Sequence, residues 1–173
     1  GPEKKRLQTE EDRKMTAYHE AGHALVAWEM PHIDPIHRIS IVSRGMSLGH
    51  TMTEPIDRVH ETKSHLLEEI SMMLGGQAAE KLVFDDITTG ASNDLEKATQ
   101  VARAMVMRFG MSNLGPVTLD LQKESPYDND ELSPDMQSKV DVEVKRIIDE
   151  AYAISTKILK KLRKKLDTLA KEL

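Results

Sequence analysis

The sequence contains no cysteine. Disulfides and thiolate metal ligands are thereby excluded, so a bound metal has to be held by nitrogen and oxygen. The same absence fits a reducing compartment. Aromatic side chains make up 3% of the chain, too few for a broad platform on which bases or sugars stack. A basic excess is also missing. The net charge of −5 runs against a general nucleic-acid binder, and no nucleic-acid partner is expected. No apolar run reaches the ~18 residues that a membrane span needs, and no signal peptide is recognisable. The pattern Gly-x-x-x-x-Gly-Lys-Ser/Thr does not occur, so ATP is not bound by a phosphate loop of that kind. Internal repeats are absent too.

What is present suits one domain with a single core: 173 residues, 39% apolar and 31% charged, a soluble and globular balance. Gly1-Pro2 reads as the scar of a removed tag. Residues 1–8 are therefore assigned to scar and linker and residues 9–173 to the domain, an excised piece of a longer protein.

The apolar periodicity predicts mainly helix with a small β element. A first helix is expected from about Thr9 to Glu29, capped by Thr9, with Glu10, Glu11 and Asp12 set against the positive end of the helix dipole. Ile36 to Ser43 alternates as a half-buried strand does, and the glycine turn after it, followed by a short strand to about Met52, makes a hairpin. A second helix fits Thr62 to Phe84. It contains Gly75-Gly76, each costing about 1 kcal/mol relative to alanine, which points to close approach of another backbone there. A third helix begins near Asn93 with the stripe Leu95, Ala98, Ala102, Met105 and Phe109, and Gly110 ends it. Residues 121–134 read as a surface loop. Ser133-Pro134 then opens one long helix whose stripe is Val140, Val144, Ile147, Ala151, Ile154, Ile158, Leu162, Leu166 and Leu169.

The chemistry sits in AYHEAGHALVAW. Positions i and i+4 of a helix share a face, so His19 and His23 can aim imidazole nitrogens at one point. Glu20 is turned about 100° from His19 and reaches instead toward a water on the open side of an ion. A metal that acidifies that water, with a carboxylate to take its proton, suits peptide hydrolysis. The plainer alternative is a polar face on an ordinary helix. A shuffled chain of this composition shows the pattern in roughly a few per hundred sequences. A third ligand is required. Glu80, Asp85, Asp86 and Asp94 all qualify by position, and Asp94 in a first helical turn also serves as a plain dipole partner.

The blocks EKKRL, AYHEAGHAL, SRGMSLGHT, MMLGGQAAEKLVF, ITTGASNDLEKAT and MRFGMSNLGPV occur in that order. Together they resemble the peptidase domain of the FtsH-type ATP-dependent membrane proteases, including mitochondrial and chloroplast relatives. The likeness is continuous from about residue 3 to 120 and weaker along the last helix. It implies a mainly α-helical zinc metallopeptidase domain whose zinc, one per chain, is held by His19, His23 and Asp94, with Glu20 as catalytic base. It further implies a homo-hexameric ring acting on unfolded or damaged polypeptides. The parent would be anchored in a bacterial inner membrane facing the cytoplasm, or in an organellar inner or thylakoid membrane. The transmembrane segment and the AAA+ module that uses ATP would belong to parent sequence absent from this chain. An edge strand of Ile39, Ser40, Ile41 and Val42 would pair with the substrate backbone; the alternative is a hairpin that only covers the core. The chain departs from the family at Ser43, Gln77, Lys81 and Asp85, where proline, arginine, glutamate and glycine are usual, and its loop from Phe84 to Thr88 is short. None of these removes a ligand or the base. A different class of function remains beside the peptidase: a ring-forming assembly module with little proteolysis in isolation.

His32, His37, His50, His60 and His65 show no ligand spacing and read as ordinary surface or loop histidines. The run Lys160, Lys161, Arg163, Lys164, Lys165 reads as a solvated face. Met72, Met73, Met105 and Met107 are expected in the core or in subunit contacts.

Overall fold

The computed structural model describes residues 9–32, 60–121 and 131–173, and every described element is helical. The expected hairpin, with Ile39 to Val42, His37 and His50, lies outside the described residues, as do residues 1–8 and most of the 121–134 loop.

Helix α1 spans Glu10–Trp28. Thr9 Oγ1 accepts from the Asp12 backbone N–H at 3.0 Å and the Asp12 carboxylate accepts from the Thr9 N–H at 3.3 Å, a reciprocal cap with aspartate in the usual glutamate position. From Tyr18 to Ala27 nearly every side chain of α1 is buried, so this helix runs through the molecule rather than over it.

Helix α2, Lys63–Phe84, lies across α1 at the paired glycines. A Cβ on Gly75 would stand 2.9 Å from the Gly22 carbonyl oxygen and 3.1 Å from Val26 Cγ2, and a Cβ on Gly22 would run into the Gly75 carbonyl. The backbones touch, as the glycine pair predicts. A helix with a full side chain on either side of such a crossing would have to stand off.

α2 ends at Asp85, which has φ 52° and returns its N–H to the Lys81 carbonyl at 3.0 Å. That is the left-handed cap normally given to glycine. A short 3₁₀ turn, Thr89–Ala91, leads into α3, Ser92–Met107. Gly110, at φ 61°, follows as expected. Phe109 does not extend the buried stripe, because the helix has already ended and its ring is 49% exposed.

The expected long last helix is two helices, α4 (Pro134–Lys161) and α5 (Arg163–Glu172). Leu162, at φ −107° and ψ 29°, breaks them. Neither proline nor glycine marks the spot. The break lets α5 turn Leu166 and Ala170 into the core around α1, where the Tyr18 hydroxyl donates to Asp167 Oδ1 at 2.6 Å. The buried seam of α4 is also rotated from the expected stripe. Glu143, Ser155 and Leu159 are buried, whereas Val144, Ile154 and Ile158 are only half-buried. The two polar residues are tolerated because each is bonded: Ser155 donates to the Ser71 carbonyl, and Glu143 accepts from the Asn113 N–H and from Arg146.

Two apolar clusters result. One joins α1, α2, α4 and α5 through Leu25, Val26, Met72, Leu159 and Leu166; the other joins α2, α3 and α4 through Ile70, Leu74, Ala102, Met105 and Ile147. α2 belongs to both. Met72 and Met105 are core residues, while Met73 and Met107 are half-buried beside them. His65 departs from the surface reading: it is 3% exposed on the inner side of α2 and pairs with Glu61 and Glu69.

Alanine for glycine adds about 1 kcal/mol in an open helix. At Gly75 the sign reverses, and Gly75→Ala loses about 1–3 kcal/mol in urea unfolding because the new methyl meets backbone. A gain would mean the helices do not touch there. Conversely, Asp85→Gly relieves the left-handed conformation and raises stability by up to about 1 kcal/mol; an unchanged or lowered urea midpoint contradicts that cap.

Candidate metal centre

His19 and His23 leave α1 toward α2, just beyond the glycine crossing. Gly76 makes room for them: a Cβ there would lie 2.5 Å from His19 Nε2 and 2.6 Å from His23 Nε2. The imidazoles meet edge to face, with centroids 4.7 Å apart. Asp94, in the first turn of α3, brings its Oδ2 to 3.0 Å from His19 Nε2 and 3.1 Å from His23 Nε2, and the two nitrogens are themselves 3.0 Å apart. Three ligand atoms thus form a nearly equilateral triangle whose centre is about 1.8 Å from each corner, close to the ~2.0–2.1 Å of a zinc–nitrogen bond. Among the described residues this is the group of histidines and carboxylates able to hold a metal ion.

The opposite edge of each imidazole is fixed. His19 Nδ1 lies 2.8 Å from Glu80 Oε2, and His23 Nδ1 donates to the Met72 carbonyl at 2.7 Å. With Nδ1 carrying the proton on both rings, both Nε2 atoms turn their lone pairs to the triangle. Glu80 is therefore outside the triangle, on the far side of His19. Asp85 and Asp86 are exposed. Of the four carboxylates that position left open, the fold brings only Asp94 onto the Nε2 edge.

Burial works against a charge on either partner, but the contacts win. The pKa of His19 is lowered by burial and raised more by its bonds to Asp94 and Glu80, reaching about 8. Burial would raise Asp94, yet the two imidazoles hold it well below the usual carboxylate range. A site that draws a proton this strongly has the charge pattern that suits a cation.

Beside the triangle opens a cavity of about 710 Å³ lined by Met15, Thr16, His19, Glu20, Glu80 and Thr88 to Gly90, with Thr9 and Asp12 at its end. Glu20 is half-buried and lines this cavity with His19, from a helix position turned about 100° from it.

Residues 6–173 match the model of Peptidase family M41. The chain belongs to that family. This M41 chain is 44% identical to the ATP-dependent zinc metalloprotease FtsH of Rubrobacter xylanophilus, an alignment covering all of the chain and 28% of that relative. It is likewise 44% identical to the ATP-dependent zinc metalloprotease FtsH 1 of a Thermoanaerobacter species and 43% identical to the FtsH of Caldicellulosiruptor bescii, covering 30% of each. The chain therefore spans about three-tenths of the length of the curated relatives it matches.

Several parts of this centre carry no signal in the sequence. Gly76 was visible only as half of a glycine pair, and its role beneath the imidazoles needed the crossing. The Met72 carbonyl has no side-chain signal at all. Glu80 was visible as a carboxylate, but not the nitrogen it would meet.

The His19 pKa is raised above 6.5, so the stability its charge contributes is complete below pH 6.5 and is lost as pH rises through about 8. In EDTA the melting midpoint should fall between pH 6.5 and 9, and Asp94→Asn should flatten most of that slope. An imidazole resonance of His19 titrating at 6.5 would contradict the arrangement.

Proposed function

We propose that this chain is the zinc endopeptidase domain of an ATP-dependent, membrane-anchored protease that hydrolyses peptide bonds of unfolded or damaged proteins. The triangle of His19, His23 and Asp94 beside the Glu20-lined cavity carries the reading. Membership of family M41 and the names of the relatives support zinc and proteolysis. His19, His23 and Asp94 would hold the ion: three protein ligands, nitrogen and oxygen only, with an open side. That donor set fits zinc, and the fixed Nδ1 edges leave the imidazoles ready to bind it.

When bound, zinc supplies Lewis-acid polarisation of a water and of the scissile carbonyl. Glu20 takes the proton of the attacking water and passes it to the departing amine. His23, anchored by Met72, and His19, anchored by Glu80, keep their Nε2 edges fixed through the cycle. Asp94 balances the charge that collects between them.

Extended substrate is proposed to pair with Ile39, Ser40, Ile41 and Val42, which lie outside the described residues, a reading supported by the alternation of that stretch in the sequence. Main-chain pairing would explain action on many sequences. The relatives are named as ATP-dependent, and no described helix of this chain is long and apolar enough to cross a bilayer. Assembly is as a homo-hexamer, and the negative net charge disfavours nucleic acid as a partner. No specific observation favours the alternative of a ring-forming module without proteolysis.

In the zinc-loaded protein, Glu20→Gln should keep about one zinc per chain while cleavage of a flexible casein-like substrate falls by about 10²–10⁴-fold. Metal analysis and a fluorescent casein assay measure the two. A variant that cuts as fast as the parent would falsify the role of Glu20; a parent that neither holds zinc nor cuts removes the peptidase reading.

A further inference from the structure

A second cavity, of about 390 Å³, lies between α2 and α4 and shares no lining residue with the one beside the metal triangle. Its floor is apolar: Ala78 is 1% exposed and Leu82 is half-buried. Its α4 wall is a stripe of polar groups. Tyr152, Thr156 and Lys160 stand four residues apart, so they share one helix face. Each can donate a hydrogen bond. Thr156 Oγ1 is shut off from solvent and has no hydrogen-bond partner. Among the described residues, no acceptor meets the Tyr152 hydroxyl or the Lys160 ammonium either. The carboxylate at the rim, Asp85, is 93% exposed and already engaged by Lys81 at 2.9 Å.

We propose that this cavity binds a carboxylate carried on a short apolar group, the chemistry of a peptide's C-terminal residue or of a short aliphatic acid. The carboxylate lies against Lys160 and Thr156, and the apolar part lies on Ala78 and Leu82. This site is independent of the zinc reading above.

A lysine on a helix surface is ordinarily just solvated, so Lys160 alone would carry nothing. Thr156 is the unusual member. A threonine inside a helix commonly donates to the carbonyl four residues back. Thr99 does so to the Leu95 carbonyl at 2.7 Å, and Thr168 to the Lys164 carbonyl at 3.0 Å. Thr156 leaves the equivalent bond unmade in a place that water does not reach. A buried hydroxyl without a partner is unfavourable, and an acceptor brought from outside removes that cost.

The surroundings select the ligand. A volume of about 390 Å³ falls at the small end of the ~300–1,000 Å³ usual for small-molecule sites and exceeds what a bare ion fills. An inorganic phosphate would leave the apolar floor uncovered and would face Asp85 with more charge than a carboxylate does. A neutral amide of the same shape would gain little from Lys160.

Binding can be followed through backbone amide resonances of the ¹⁵N-labelled protein. N-acetyl-leucine should shift Ala78, Leu82, Thr156 and Lys160 saturably, half-maximally at about 1–10 mM for a ligand of this size. N-acetyl-leucinamide should bind at least about tenfold more weakly, and so should N-acetyl-leucine to Lys160→Glu. Thr156→Val keeps the shape without the hydroxyl and should weaken binding about 2–10-fold. Asp85→Asn removes the repelling rim charge and should tighten it about 2–5-fold. Hexanoate, titrated in parallel, distinguishes the sources: tighter N-acetyl-leucine supports a site for peptide ends, and tighter hexanoate supports one for aliphatic acids. Equal binding of the acid and its amide overturns the proposal. So does binding of inorganic phosphate without N-acetyl-leucine, or a set of shifts confined to the surroundings of His19 and Asp94.

Discussion

The contact of α1 with α2, backbone against backbone at Gly22 and Gly75, sets the distances on which the site depends. Close approach brings the helix carrying both histidines near enough for their rings to lie over Gly76 and for His23 to reach the Met72 carbonyl. It also brings Glu80 onto His19. Were the helices held apart by ordinary side chains, at the 8–10 Å usual for packed helices, those short contacts would open together. Small residues on α1, Ala21, Gly22 and Ala24 among them, serve both the packing and the chemistry.

The crossing explains two of the three corners of the triangle, and the third arrives from elsewhere. Asp94 comes on α3, which packs on the far side of α2 through Ala98, Ala102 and Met105. α2 is therefore the common reference for all three corners of the triangle. Its ends are defined by a threonine cap and by an aspartate in the left-handed conformation that glycine adopts most easily. Burial of so many titratable groups is unfavourable unless each has a partner. Here Glu80 is bonded to His19 and Thr88, Asp94 to both imidazoles, and Glu143 to Arg146 and Asn113.

Much of the helical content was legible because caps and punctuation are local. Thr9, Thr62 and Ser133 cap the helices they precede, and Gly110 follows the one it was expected to end. The glycine pair announced a close crossing because an unexplained helix-interior glycine carries a local cost. The break at Leu162 and the buried places of Glu143 and Ser155 were not legible. Each depends on a partner far along the chain: α5 on Tyr18, Ser155 on Ser71, and Glu143 on Asn113. A polar residue in a buried seam and an apolar one beside it look misplaced until the bonded groups are known.

By itself the sequence determined the spacing of His19, Glu20 and His23, because helical periodicity fixes their relative directions wherever the helix lies. It also determined that a metal would meet only nitrogen and oxygen. Choosing among Glu80, Asp85, Asp86 and Asp94 was different. Those residues fall within fifteen positions of one another, and local rules suit each. Only the tertiary structure decided, by turning Glu80 to the Nδ1 edge of His19 and Asp94 to the Nε2 edge of both rings, since side chains from separate helices acquire a common point only when those helices pack.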